Sequence, residues 1–228
     1  MKRLIPLLVL LGFFVGSCNL YKKYADTAEG WEEEITNLEY RDDNEKYPDD
    51  AILFIGSSSI RRWDWIDEDM APYIPIKRGY GGAHFTDMIH FTKRLVWPHK
   101  FQALCIFVAN DITGGENDKS IPEVMRLFKE VVKTVRERYP EVPIFQIAIT
   151  PTNSRWKVWP EVQKLNAAFA DYCQKHDNMY FIDPSAKYLN EQGMPRSELF
   201  VGDQLHLNEE GYDIWAAAIK EELDKVLK

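Results

Sequence analysis

Four strongly apolar runs and one weaker run, spaced by helix-like stretches, constrain the fold of this chain most. The runs are Ala51 to Ile55, Ile74 to Tyr80, Phe101 to Val108, Val142 to Ile149 and Met179 to Ile182. Gly56, Gly81-Gly82, Pro151 and Asp183-Pro184 close four of them. Helical periodicity predicts helices near 84–96, 121–138 and 160–176. A last helix is expected over 208–227, with Asn208 as its N-cap and Glu209 and Glu210 in its first turn. Strands that are apolar along their whole length are buried on both faces, and amphipathic helices between them supply the cover. The expectation is therefore an α/β fold, a three-layer α/β/α sandwich around a central five-stranded parallel sheet. In such sheets ligands bind beyond the carboxyl ends of the strands, so the residues just after each strand are where chemistry is expected.

Gly56-Ser57-Ser58-Ser59-Ile60 follows the first strand. A serine on a tight strand-to-helix turn can present its hydroxyl to a crevice, although serines there also cap the next helix. Gly79-Tyr80-Gly81-Gly82-Ala83 follows the second, where glycine lets a backbone N–H approach a ligand closely or simply makes a tight turn. Asn110-Asp111 follows the third. An amide side chain there can donate to a developing oxyanion, or cap a turn. Asp203-Gln204-Leu205-His206 lies just before the last helix. Its spacing allows a carboxylate to hold one imidazole nitrogen while the other faces a serine. After the fourth strand come Arg155, Trp156 and Trp159, candidate substrate contacts. Exposed tryptophans there would stack on a sugar face and the arginine would take an anionic group; the alternative is that they pack the loop onto the body of the protein.

The amino-terminal end reads differently. Lys2 and Arg3 precede an almost wholly apolar stretch from Leu4 to Val15, too short to span a membrane comfortably. Val15-Gly16-Ser17-Cys18 resembles the lipobox of bacterial lipoproteins, which implies a signal peptide over 1–17 and lipidation of Cys18 as the mature terminus. That would place the protein in the cell envelope, held to a bacterial membrane by an N-terminal lipid anchor, periplasmic or surface-exposed. Residues 18–30 are polar and read as a tether. Trp31, Ile35 and Leu38 recur at helical spacing and predict a short amphipathic helix over 31–46, broken by Tyr47-Pro48-Asp49-Asp50. The domain then covers 31–228, with its catalytic core over 50–228.

A formal charge of −8 and the lack of a basic stripe argue against a nucleic-acid partner. Cys105 and Cys173 lie in a strand-like and a helix-like run, and buried free thiols are favoured over a disulfide. No Cys/His spacing matches a metal site.

Taken in order, Phe54-Ile55-Gly56-Ser57-Ser58-Ser59-Ile60, Arg78-Gly79-Tyr80-Gly81-Gly82, Val108-Ala109-Asn110-Asp111 and Asp203-Gln204-Leu205-His206 resemble the four blocks of the SGNH hydrolases, also termed GDSL-like esterases and lipases. The likeness runs from about Asp50 to the end. It implies the flavodoxin-like SGNH fold and a carboxylic ester hydrolase with Ser58 as nucleophile, His206 as general base and Asp203 as its partner. It further implies an oxyanion hole from the N–H groups of Ser58 and Gly82 and the amide of Asn110, with no metal or cofactor. Ser57 stands where the family has Asp, and Val108 where it has Gly; neither removes a catalytic group. The expected substrates are small acyl esters, acetyl groups on glycans included. A lysophospholipase- or thioesterase-like acylhydrolase, or a glycan-binding lipoprotein on an inactive scaffold, are the alternatives.

Overall fold

The computed structural model describes residues 20–228. The expected signal peptide and Cys18 lie outside the described residues. The sheet is formed by β1 (Ile52–Gly56), β2 (Pro75–Gly79), β3 (Ala103–Phe107), β4 (Ile144–Ile147) and β5 (Met179–Ile182). The strands are all parallel, in the order β2-β1-β3-β4-β5. Every residue of β1, β3 and β4 is buried, as uniformly apolar strands require.

The main helices are α1 (Ala25–Glu29), α2 (Glu32–Asn44), α3 (Ser58–Arg61), α4 (Ile66–Asp69), α5 (Phe85–Val96), α6 (Ile121–Arg136), α7 (Trp159–Gln174) and α8 (Glu209–Leu227). On one face α5, α6 and α7 pack side by side. Phe85, Phe128 and Phe169 meet there edge-on or tilted, with ring centroids 5.0–6.1 Å apart. On the other face α4 packs against α8. There Trp63 stacks on Tyr212 at 5.3 Å and meets Phe54 of β1 and Trp215 of α8. Each such aromatic, fully buried, stabilises the fold by about 1.5–3 kcal/mol. The expected Asn208 cap is present, its Oδ1 accepting the Gly211 N–H at 3.0 Å. Cys105 and Cys173 are buried free thiols, and burial pushes the Cys173 thiol up to about 12.

The stretch read as a tether is folded instead. Residues 20–23 are helical, and Leu20, Tyr24 and Ala28 are buried. They recur every four residues, so a narrow apolar stripe lies within a polar composition and docks on α5 and α6. The Lys23 ammonium and Tyr24 hydroxyl both reach Glu123 on α6, the former at 2.6 Å. α2 follows, burying Ile35 and Leu38 as expected. Arg94 on α5 pairs with Glu32 at 2.6 Å and Glu39 at 2.7 Å. The wholly buried Arg78 on β2 pairs with Asp42 at 2.6 Å and Glu45 at 3.1 Å, near the end of α2.

Removing the Arg78 guanidinium would strand a mostly buried Asp42 without a counter-charge. Arg78→Ala is expected to lower the free energy of unfolding by about 3 kcal/mol, the lower end for a broken buried pair because Glu45 keeps partial access to water. Urea denaturation followed by circular dichroism measures it.

Candidate active site

β1 and β3 pair in register, with Gly56 opposite Phe107. The chain turns sharply at Gly56, whose φ is +144°, and a β-carbon there would collide with the Phe107 carbonyl. The next residue, Ser57, donates its N–H to that same carbonyl at 2.8 Å. Ser58 therefore opens α3 immediately beyond the sheet. Its hydroxyl does not cap the helix. It lies 2.8 Å from His206 Nε2.

The His206 loop is held by its own acid. Asp203 Oδ1 accepts the backbone N–H groups of Leu205 and His206, both at 2.9 Å, and Oδ2 lies 2.7 Å from His206 Nδ1. Partial burial opposes ionisation of Asp203. The hydrogen bonds from the His206 backbone, the His206 ring and the Leu205 backbone outweigh it and hold the carboxyl well below the usual carboxylate range. Arg62 Nη1 also approaches, 2.8 Å from His206 Nδ1 and 3.4 Å from Asp203 Oδ2. A guanidinium has no acceptor. With Nδ1–H donated to Asp203, the Arg62 contact is an attraction to the carboxylate. That tautomer leaves the Nε2 lone pair facing Ser58 Oγ.

Ser58, Asn110 and His206 line one small cavity of about 30 Å³ at the carboxyl end of the sheet. Its walls include Phe107, Ile149, Trp159, Val162, Leu207 and Trp215. Gly82 does not line it. It sits in the adjoining loop with φ +67°, and the following residue, Ala83, accepts the Asn110 Nδ2–H through its carbonyl at 2.9 Å. The Gly81-Gly82 loop is braced from α2: Glu34 accepts the Gly81 N–H at 3.0 Å and Arg61 at 3.1 Å. The Trp31 ring fills the space where a Gly82 side chain would stand. Nothing in the sequence pairs Glu34 or Trp31 with glycines some fifty positions away.

The three candidate substrate contacts part company. Arg155 donates both terminal nitrogens inward, to the Ala109 carbonyl and Asn110 Oδ1, each at 2.7 Å. Trp159 is 7 % exposed and belongs to the core; it is not a surface platform for a sugar. It falls three residues before the buried Val162 on α7, a helical spacing that signals a core position. Trp156 is half-buried and stacks on Trp159 at 6.2 Å. The loop itself reaches the site, since Ser154 N–H donates to the Gln204 carbonyl at 3.1 Å and Asn153 Nδ2 to Gln204 Oε1 at 2.8 Å.

Two buried carboxylates stand beneath these loops. Asp87 accepts the Tyr80 hydroxyl at 2.7 Å and the His84 N–H at 3.0 Å; Asp111 accepts the Phe85 N–H at 3.0 Å. Burial pushes Asp87 up to about 6 and Asp111 up to about 7.

A serine hydroxyl, an imidazole and a carboxylate linked beyond the carboxyl end of a parallel sheet are groups that can activate the serine as a nucleophile. A family profile matches residues 56–214, and the chain belongs to the GDSL-like lipase/acylhydrolase family, a family of ester hydrolases. No curated protein is similar enough to match it. Among solved structures, it is similar to a Streptococcus pneumonia protein provisionally named a platelet activating factor, at 18% identity and TM-score 0.74, covering 89% of this chain and 97% of that one. A GDSL-like lipase from Bacteroides thetaiotaomicron aligns at 14% identity and TM-score 0.66, covering 84% and 97% of the two chains. A carbohydrate esterase family 3 protein from Talaromyces cellulolyticus aligns at 15% identity and TM-score 0.60, covering 78% and 97%. These likenesses establish the shared fold.

Asp87 and Asp111 hold protons more tightly in the native protein than in the unfolded chain. Their contribution to stability is fullest in acid and falls as pH rises from about 4 toward 7. Asp111→Asn abolishes one such titration. Its melting temperature relative to the parent is expected to be higher at pH 8 than at pH 5, by differential scanning calorimetry. An offset that does not change with pH would place Asp111 among ordinary carboxylates.

Proposed function

We propose that the protein is a serine ester hydrolase that removes small acyl groups, with acetyl groups on glycans as its natural target. Ser58 is the nucleophile, His206 the general base and Asp203 the group that orients it. The observation that carries this reading is the unbroken link from Ser58 Oγ to His206 Nε2 at 2.8 Å and from His206 Nδ1 to Asp203 Oδ2 at 2.7 Å.

The chemistry follows from that link. His206 Nε2 takes the hydroxyl proton as Ser58 Oγ attacks the ester carbonyl carbon, and Asp203 stabilises the imidazolium. The N–H groups of Ser58 and Gly82 and the Asn110 amide receive the oxyanion. First-turn N–H groups of a helix have no intrahelical carbonyl to bond, so the Ser58 N–H is free for this task. His206 returns the proton to the leaving alcohol. It then deprotonates a water that attacks the acyl carbon, and gives that proton to Ser58 Oγ as the acid leaves.

Cavity size supports a short acyl group. The cavity beside Ser58 is small, about 30 Å³, which favours a group such as an acetyl over a long chain. The buried aromatic and aliphatic walls suit its methyl. The similarity to a carbohydrate esterase supports a sugar as the alcohol. The lipobox-like Val15-Gly16-Ser17-Cys18 supports lipid attachment at Cys18 and a place in the cell envelope. Each acyl methylene buried in a bilayer contributes about 0.8 kcal/mol, so several chains on one cysteine anchor firmly.

A p-nitrophenyl ester series on protein lacking residues 1–18 tests the reading. Acetate is expected to turn over faster than octanoate. Preference for octanoate would favour lipid or thioester substrates, and no turnover would favour an inactive binder. Ser58→Ala is expected to abolish turnover and labelling by a fluorophosphonate, while Ser57→Ala and Ser59→Ala retain both. Asp203→Asn is expected to lower kcat by about 10⁴-fold. Mass spectrometry of the mature terminus should find a lipidated Cys18; an unmodified terminus or a peptide beginning upstream would refute the anchor.

A further inference from the structure

An amide can face a ligand in two ways. Rotating the Asn110 side chain by 180° would swap its donor Nδ2 for its acceptor Oδ1, and an acceptor beside a developing oxyanion repels it. The two ends of this amide are not equivalent in their surroundings. Oδ1 lies 2.7 Å from Arg155 Nη2, and a guanidinium can only donate. Nδ2 lies 2.9 Å from the Ala83 carbonyl, which can only accept. A flipped amide would set oxygen against oxygen at Ala83 and N–H against N–H at Arg155. Arg155 is itself fixed, because Nη1 donates to the Ala109 carbonyl at 2.7 Å. Its planar fork thus grips two consecutive residues with a fixed geometry that the point charge of a lysine does not supply. The loop that carries it is tied to the Gln204 turn by the hydrogen bonds from Asn153 and Ser154.

We infer that Arg155 is a positioning residue that locks the Asn110 amide with one Nδ2 proton on Ala83 and the second available to the oxyanion. This rests on the proposed role of Asn110 in the oxyanion hole. Arg155 therefore lines the cavity without serving as a substrate-anion contact. It acts on the transition state through its neighbour, and its loss should appear in kcat rather than KM.

The test is steady-state hydrolysis of p-nitrophenyl acetate, an uncharged ester, by Asn110→Ala, Arg155→Met, the double variant and Arg155→Lys. Asn110→Ala is expected to lower kcat by about 10²–10³-fold. Arg155→Met should lower kcat by about tenfold or more with KM little changed. The double variant should be no slower than Asn110→Ala alone, because a lock has nothing to hold once the amide is gone. Arg155→Lys keeps the charge but not the planar fork, and should fall between the parent and Arg155→Met; it carries the test if Arg155→Met does not fold. Losses that multiply in the double variant would overturn the inference, as would a rise in KM at unchanged kcat. Full activity in Arg155→Met beside a slow Asn110→Ala would overturn the positioning role alone. Full activity in Asn110→Ala would overturn the oxyanion reading and the positioning role together.

Discussion

The parallel pairing of β1 with β3 sets the spacing of the whole site. The two strands run in register from Ile52 beside Ala103 to Gly56 beside Phe107, so both chains leave the sheet at the same level. The order β2-β1-β3-β4-β5 puts β2 on one side of this pair and β4 and β5 on the other. Connections depart in opposite directions at such a point and leave a crevice between them. Ser58 and Asn110 stand on its two lips. The steric limit at Gly56 matters for the same reason. Only a residue without a β-carbon lets the Ser57 N–H reach the Phe107 carbonyl, and that bond fixes where the Ser58 turn begins.

Loops that carry the other groups are then joined to this crevice and to one another. Asn110 reaches across to Ala83, Arg155 reaches back to Asn110, and Ser154 meets the Gln204 turn beside His206. The arrangement resembles a closed ring of hydrogen bonds laid over the end of the sheet. The backbone groups of Ala83, Ala109, Ser154 and Gln204 take part, so the loops are held by main chain as well as by side chains.

Local chemistry was the part of this design legible in the sequence. Uniformly apolar runs marked the strands, and the cap at Asn208 marked the last helix. The interval from Asp203 to His206 is short enough that turn geometry alone brings carboxylate and ring together. The segments after the first three strands marked where chemistry was expected, and the resemblance to the SGNH blocks singled out Ser58, Gly82 and Asn110 within them. What escaped depends on contacts between distant positions. Arg155 reads in the sequence as a contact for an anionic group because nothing near it in the chain supplies a partner; its partners, Ala109 and Asn110, lie in the loop after β3. For Trp159 the sequence left a stacking platform and a packed loop residue both open; the structure buries it at the start of α7. The Leu20, Tyr24 and Ala28 stripe was overlooked because polar neighbours outnumber it, although three side chains on one side of a helix suffice to bury it.

That docked segment has a consequence for how the chain assembles. α1 and α2 are made first, yet their seat is built from α5 and α6, whose residues emerge some sixty to one hundred positions later. Isolated helices of five and thirteen residues are marginal in water. During synthesis the leading end therefore waits, unsupported, until the sheet and its first helical layer exist. α1 and α2 can dock only once α5 and α6 are in place, and their arrival closes the brace of Glu34 and Trp31 behind the Gly82 loop.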